Sequence, residues 1–182
     1  MHYEYVGGSL HLEKVDLAGV AAALGTPCFV YSRDAIESRF EEYVTGFRGR
    51  RHKVCYSVKA NGNLSIISLL SKLGSGFDIV SGGELERVLA ADGTARDVVF
   101  SGVGKSRSEI DAAIGAEIGC INVESRAELE RIAAAAEAHN KVVAIAIRVN
   151  PDVDPDTHPY VATGLKESKF GVPVGQVYDL YR

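Results

Sequence analysis

Three side chains have a type and a setting that could do chemistry: Lys59, Asp78 and Arg148. Lys59 lies in Val54-Cys-Tyr-Ser-Val-Lys-Ala-Asn61, where Val54, Tyr56 and Val58 alternate with Cys55, Ser57 and Lys59. A period of two sends the two sets to opposite faces of a strand. The bulky set suits a layer of helices, and the small set suits a barrel interior with Lys59 at its mouth. An amine held half-dry there loses part of its preference for the charged form and becomes a nucleophile able to form a Schiff base. The competing reading is an ordinary strand-end lysine whose head reaches water. Arg148 follows Ala144-Ile-Ala-Ile147, and its face otherwise carries Ala144 and Ala146, which leave room for a guanidinium to hold an anionic or phenolic oxygen. Asp78, between Phe77 and Ile79, is an acid in an apolar run and needs a cation or hydrogen-bond donors if buried. For Asp78 and Arg148 the alternative is a structural ion pair.

These residues need a scaffold. Apolar runs at Val54 to Ala60, Phe77 to Ser81, Val98 to Ser101, Cys120 to Ser125 and Val143 to Asn150 alternate with Ala-, Leu- and Glu-rich helical stretches. Three of the helices open with Ser-x-x-Glu, at Ser81, Ser106 and Ser125, a reciprocal capping box that already accounts for Glu84. Strand, capped helix, strand implies a parallel sheet with right-handed crossovers, either an open doubly wound sheet or a (β/α)8 barrel. In both, ligands meet the carboxyl ends of the strands, where Lys59, Ser81, Arg148 and Asn150 fall. A barrel has eight strands over about 250 residues. Five are legible here, and a helix is beginning at Gln176, so the chain is expected to be part of a larger protein.

Before Lys53 the pattern is mixed. Asp16 opens a small apolar helix, Gly25-Thr-Pro27 punctuates, Cys28 to Tyr31 is strand-like, and Asp34 is placed to cap a helix carrying Ile36, Phe40, Tyr43 and Phe47. The basic run Arg48 to Lys53 has no interleaved aromatic residues and reads as a solvated loop.

The 182 residues are 46% hydrophobic and carry a net charge of −4, which excludes a disordered chain and gives no positive field for nucleic acid or anionic lipid. A small-molecule partner fits better. Cys28, Cys55 and Cys120 form neither a disulfide framework nor a zinc motif, and read as reduced thiols in or near a core. With no membrane-length apolar run, the expected setting is the cytoplasm. Gly104-Lys-Ser106 imitates the end of a P-loop, but Val99 stands where the motif requires glycine. Asp152, Asp154 and Asp156 imitate a calcium loop, yet its sixth and twelfth positions are Thr157 and Thr163.

Together, Gly25-Thr-Pro-Cys-Phe-Val-Tyr31, Tyr56-Ser-Val-Lys-Ala-Asn61, Gly76-Phe-Asp-Ile-Val-Ser-Gly-Gly-Glu-Leu85, Asn122-Val-Glu-Ser125, Arg148-Val-Asn-Pro151 and His158 to Gly171 resemble the fold-type III pyridoxal-phosphate-dependent decarboxylases. The element Thr163-Gly-Leu-Lys-Glu-Ser-Lys-Phe-Gly171 resembles the branch acting on diaminopimelate. The resemblance implies an alanine racemase-like (β/α)8 TIM barrel, with residues 34–182 as its first part and residues 1–33 as the N-terminal piece of a β-domain. It implies pyridoxal 5'-phosphate on Lys59, with Asp78 beside that lysine and Arg148 near the cofactor's ring oxygen. The implied reaction is decarboxylation of meso-diaminopimelate to L-lysine by a homodimer, without nucleic acid, membrane or metal. The family's histidine-glycine-serine element, glycine-rich phosphate cradle, Glu-Pro-Gly-Arg segment and partner-donated cysteine would fall after Arg182, so these residues alone are expected to bind cofactor weakly, to be inactive and to self-associate. The alternatives are a non-catalytic truncated or regulatory paralogue, an ornithine- or arginine-type decarboxylase, and, ranked last, a single-barrel pyridoxal-phosphate carrier.

Overall fold

A computed structural model describes residues 3–151, 153 and 170–181. The chain divides into two compact units, Met1–His52 and Lys53–Arg182.

In the first unit, β1 (Tyr3–Val6), β2 (Ser9–Leu12) and β3 (Val15–Asp16) form an antiparallel sheet. The β1–β2 hairpin turns through Gly7 and Gly8 at φ 58° and 87°, the positive values that a two-residue turn matching strand twist requires. Asp16 caps α1 (Leu17–Leu24) by accepting from Ala18 N at 3.1 Å, as its position implies. Cys28 to Tyr31 is not a strand. No described strand pairs with it, and Phe29 is 90% exposed. Cys28 is likewise exposed rather than near a core. The cap of α2 (Arg33–Gly46) is Ser32 instead of Asp34: Ser32 Oγ accepts from Ala35 N at 2.9 Å, and Asp34 occupies the first turn, where its charge suits the helix dipole. Of the four spaced apolar residues only Phe40 is buried. Arg48 to Lys53 is exposed, as a solvated loop should be.

The second unit is the βα repeat: β4 (Cys55–Ser57), α3 (Leu64–Lys72), β5 (Gly76–Ile79), α4 (Gly82–Ala90), β6 (Val98–Phe100), α5 (Arg107–Gly115), β7 (Cys120–Val123), α6 (Arg126–Ala138), β8 (Ile145–Ile147), β9 (Val149–Asn150), β10 (Val172–Pro173) and α7 (Val174–Leu180). Strands β4 to β8 form one parallel sheet in the order β4-β5-β6-β7-β8, each new strand joining the same edge. A doubly wound sheet reverses direction partway. Uninterrupted progression is that of a barrel wall, and it resolves the two architectures that alternation alone leaves open.

Pleating makes two unlike faces. Phe77, Ile79, Val98, Phe100, Ile121 and Val123 turn outward and are fully buried. The helices meet them with Ile67, Val88, Ile110 and Ile132, at most 1% exposed. Each such burial contributes about 1.5–3 kcal/mol, so the core lies between strands and helices. The other face carries Cys55, Ser57, Asp78, Val99, Cys120, Asn122, Ala144 and Ala146, all partly or largely accessible. At the opposite end of the sheet Gly119 is indispensable, because a Cβ there would lie 2.2 Å from Arg96 O.

The capping boxes differ from their common sequence. Only Ser106 and Glu109 exchange bonds reciprocally. Ser81 and Ser125 accept from Glu84 N and Glu128 N, but each glutamate reaches one residue further back, to Val80 N (2.7 Å) and Glu124 N (2.6 Å). Among the described residues no helix is long and apolar enough to cross a membrane. The aspartates of the calcium-like loop, and His158 to Lys169 of the discriminating element, lie outside the described residues.

Candidate active site

Lys59 stands on a single 3₁₀ turn, Val58–Ala60, immediately beyond β4. The strand stops at Ser57, three residues earlier than the apolar run suggests, so strand alternation does not aim this side chain. The turn is nevertheless fixed. Val58 is 1% exposed, Tyr56 Oη donates to Asn61 O at 3.1 Å, and Arg87 Nη1 donates to Gly62 O at 3.2 Å. Asn61 and Asn63 side chains then accept from Asn63 N and Ser65 N, starting α3. Lys59 itself is exposed, contrary to the half-dry amine expected from sequence. The physical reason is the open sheet: within the described residues of the second unit no layer covers its inner face, which is partly to largely accessible from Cys55 to Ala146.

Asp78 has no ion pair among the described residues. It lies level with Ser57 on the neighbouring strand and takes two hydroxyl donors, Ser57 Oγ to Oδ2 at 3.2 Å and Ser101 Oγ to Oδ1 at 2.5 Å. Asn122 Nδ2 donates to Ser101 Oγ at 3.0 Å. The result is a polar ledge crossing four strands, from β4 to β7. Two thiols share this inner face, and burial pushes both upward, with the Asp78 charge adding to the effect at Cys55.

Arg148 is held in an ion pair. Its Nη1 lies 3.1 and 3.2 Å from the two oxygens of Glu124, whose side chain is 3% exposed, and its guanidinium carbon sits 4.8 Å from the centre of the Phe170 ring. Among the described residues its other nitrogens have no hydrogen-bond partner. The structural ion pair that the sequence allows is therefore present, and it leaves donors for a further oxygen.

Behind Glu124 lies a group that sequence reasoning misses. Lys105 and Glu128 form a buried pair at 3.0 Å, with side chains 0% and 2% exposed. In the sequence Lys105 suggests only the end of a failed P-loop, and Glu128 only part of a cap. A signal is available: a lysine just before one capped helix, and a buried-face glutamate opening the next, at the loop ends where a parallel sheet gathers polar groups.

The sequence from residue 33 to 182 matches the family model described as pyridoxal-dependent decarboxylase, pyridoxal binding domain. The chain is 52% identical over 174 residues to diaminopimelate decarboxylase from Neisseria meningitidis serogroup A, covering 96% of this chain and 43% of that protein. It is 48% identical over 180 residues to the Pseudomonas fluorescens protein of the same name, covering 98% and 43%. Diaminopimelate decarboxylase from Helicobacter pylori complexed with L-lysine superposes with a TM-score of 0.88 at 43% identity, over 91% of this chain and 42% of that one. The M. jannaschii enzyme in co-complex with L-lysine gives 0.89 at 36% identity, over 98% and 43%. The chain thus spans a little over two fifths of the length of these relatives. With the family model covering all five strands of the parallel sheet and Lys59, Asp78 and Arg148, this chain belongs to the pyridoxal-dependent decarboxylase family.

Proposed function

We propose that this chain supplies the first part of the cofactor-binding barrel of a decarboxylase that converts meso-diaminopimelate to L-lysine and CO₂. Lys59 is its cofactor-bearing amine, with Asp78 and Arg148 as further cofactor contacts. The observation that carries the reading is the setting of Lys59: an accessible amine on a turn fastened from three sides, at the carboxyl end of a strand whose neighbour presents Asp78.

The donor set fits pyridoxal phosphate at one end. The primary amine of Lys59 suits the aldehyde, and the N–H groups of Arg148 that have no partner among the described residues suit the phenolic oxygen. The phosphate finds no place at the starts of α4, α5 and α6, where glutamates already take backbone amides. Its anchor must come from residues other than these. When bound, the cofactor supplies the electron sink for the bond lost with CO₂. The chain's own residues hold the reacting groups in place. Tyr56 and Arg87 fix the turn that presents the amine, Ser57 and Ser101 orient the carboxylate of Asp78, and Glu124 holds Arg148. A homodimer in the cytoplasm, with residues 1–33 belonging to a β-domain, is part of the same proposal. The family resemblance supports it, and light scattering of the purified protein tests the dimer.

The decisive experiment reduces the gene product that carries this chain with borohydride in the presence of pyridoxal phosphate and maps the labelled peptide. Label on Lys59, together with CO₂ release from meso-diaminopimelate but not from ornithine or arginine, is the expected result. An unlabelled Lys59 would end the enzyme reading and leave the non-catalytic paralogue. Release from ornithine instead would move the substrate.

A further inference from the structure

The proposed chemistry gives no task to Lys105, whose side chain is fully buried. Its Nζ has three protons and three acceptors: Glu128 Oε1 at 3.0 Å, Gly102 O at 2.7 Å and Asn122 O at 2.7 Å. It also lies 5.5 Å from the centre of the Phe100 ring. The second oxygen of Glu128 accepts from Glu124 N, and the side chain of Glu124 accepts from Gly102 N at 2.9 Å as well as from Arg148. Gly102 is therefore gripped at its carbonyl by Lys105 and at its amide by Glu124, at φ 107°, a backbone angle suited to glycine. Two ion pairs, Lys105–Glu128 and Glu124–Arg148, are thus joined through the backbone amide of Glu124, which donates to Glu128, and three of the four side chains are almost wholly buried.

A buried ion pair is roughly break-even in stability against a well-packed apolar pair, because desolvation cancels much of the attraction. What such a pair supplies more dependably is fixed geometry, since every other orientation strands a charge. We propose that Lys105 is a positioning residue: through Glu128 and Glu124 it sets the direction in which Arg148 presents its remaining N–H groups to the cofactor. Its bond to Asn122 O also steadies the strand end that supplies the Asn122–Ser101–Asp78 ledge. The inference rests on the reading that Arg148 meets the cofactor, and its test separates the two.

The test is a double-mutant cycle on the gene product that carries this chain, read as the dissociation constant for pyridoxal 5'-phosphate by fluorescence titration. Arg148→Met is expected to weaken binding about 10-fold, Lys105→Met about 5-fold, and the double variant no more than about 2-fold beyond Arg148→Met, because residues acting through one another are not additive. If the single effects multiply, Lys105 acts independently and the inference falls while the proposed function stands. If Arg148→Met leaves binding unchanged, both the cofactor role of Arg148 and the inference fall. Should Lys105→Met not fold, Lys105→Met with Glu128→Gln removes both buried charges, keeps an oxygen for Glu124 N, and enters the same cycle. A second readout needs no cofactor. In the apoprotein, Lys105→Met should raise deuterium uptake over residues 100–106 and 122–128 while leaving 76–79 unchanged, and a uniform rise would mark a merely structural role and overturn the proposal.

Discussion

Deleting the Ser101 hydroxyl should cost more than deleting that of Ser57, although both donate to the same carboxylate. Ser101 Oγ gives Asp78 its shorter bond, 2.5 Å against 3.2 Å, and also accepts from Asn122 Nδ2, so Ser101→Ala breaks two links of the ledge where Ser57→Ala breaks one. A hydrogen bond to a charged group contributes about 1.5–3 kcal/mol net, and Asp78 is only half-buried, so water recovers part of it and the low end, about 1.5 kcal/mol, applies. Asn122 is also partly accessible, and its lost acceptor adds about 0.5 kcal/mol. The sum for Ser101→Ala is about 2 kcal/mol, against about 0.5 kcal/mol for the long bond of Ser57. In equilibrium urea unfolding with a slope of about 2 kcal/mol/M, the Ser101→Ala midpoint falls by about 1 M and that of Ser57→Ala by about 0.25 M, with slopes unchanged. Equal shifts, or the reverse order, would refute the assignment of Ser101 as the central support of Asp78.

Two further outcomes follow from groups whose titration the fold perturbs. Glu109 is held below the ordinary glutamate value of 4.5, first by the amide of Gly82, then by the amide and hydroxyl of Ser106. A depressed carboxyl contributes stability that is present above its unfolded value and disappears as pH falls through its folded value. Glu109→Gln should therefore lower stability at pH 7 and reduce the loss on acidification below about pH 4.5, which unfolding midpoints between pH 7 and 3 would show. A parallel loss in both proteins would contradict it. Iodoacetamide at pH 7.5 should alkylate exposed Cys28 ahead of Cys55 and Cys120, whose thiols are shielded and raised by burial. Peptide mass spectrometry over time gives the order, and early labelling of Cys55 would contradict the partial burial of its thiol.

The parts of this fold that can be read from the chain are those where one physical effect dominates. Burial against helices forces long apolar side chains to every second position, so Phe77, Ile79, Val98, Phe100, Ile121 and Val123 announce the outer face of the sheet. The N-terminal hairpin escapes such a reading for the opposite reason. Its strands are four residues each, too short for their alternation, Tyr3 and Tyr5 around Glu4 and Leu10 and Leu12 with Ser9 and His11, to stand out, and β1 is exposed throughout. The Gly7-Gly8 pair is the available sign. Cap position is ambiguous in the sequence where two oxygen-bearing residues, Ser32 and Asp34, stand close together. The choice between them falls to Glu13, whose Oε1 takes both Ser32 Oγ and Asp34 N. Such a contact spans 19 residues of sequence and leaves no local trace.

At the site the same division holds. Asp78 and Arg148 stand out because each interrupts a pattern, an acid in an apolar run and a cation above two alanines. Lys105, Glu124 and Glu128 do not, because each also has a local explanation, and their contacts with one another arise only when the segments after β6, β7 and β8 converge. Lys59 stands out by its type, but it is exposed, so desolvation by this wall of the barrel would not be what activates the amine in the role proposed for it. What the wall provides is position. With Val58 buried and the turn tied at Asn61 and Gly62, little backbone freedom remains to be lost when an aldehyde is captured, and holding a reacting group in place is itself a large part of a rate enhancement. Exclusion of water from that amine must then come from groups beyond this face. In the proposed role this face contributes the position of Lys59, and any dryness that tunes the amine is not its contribution.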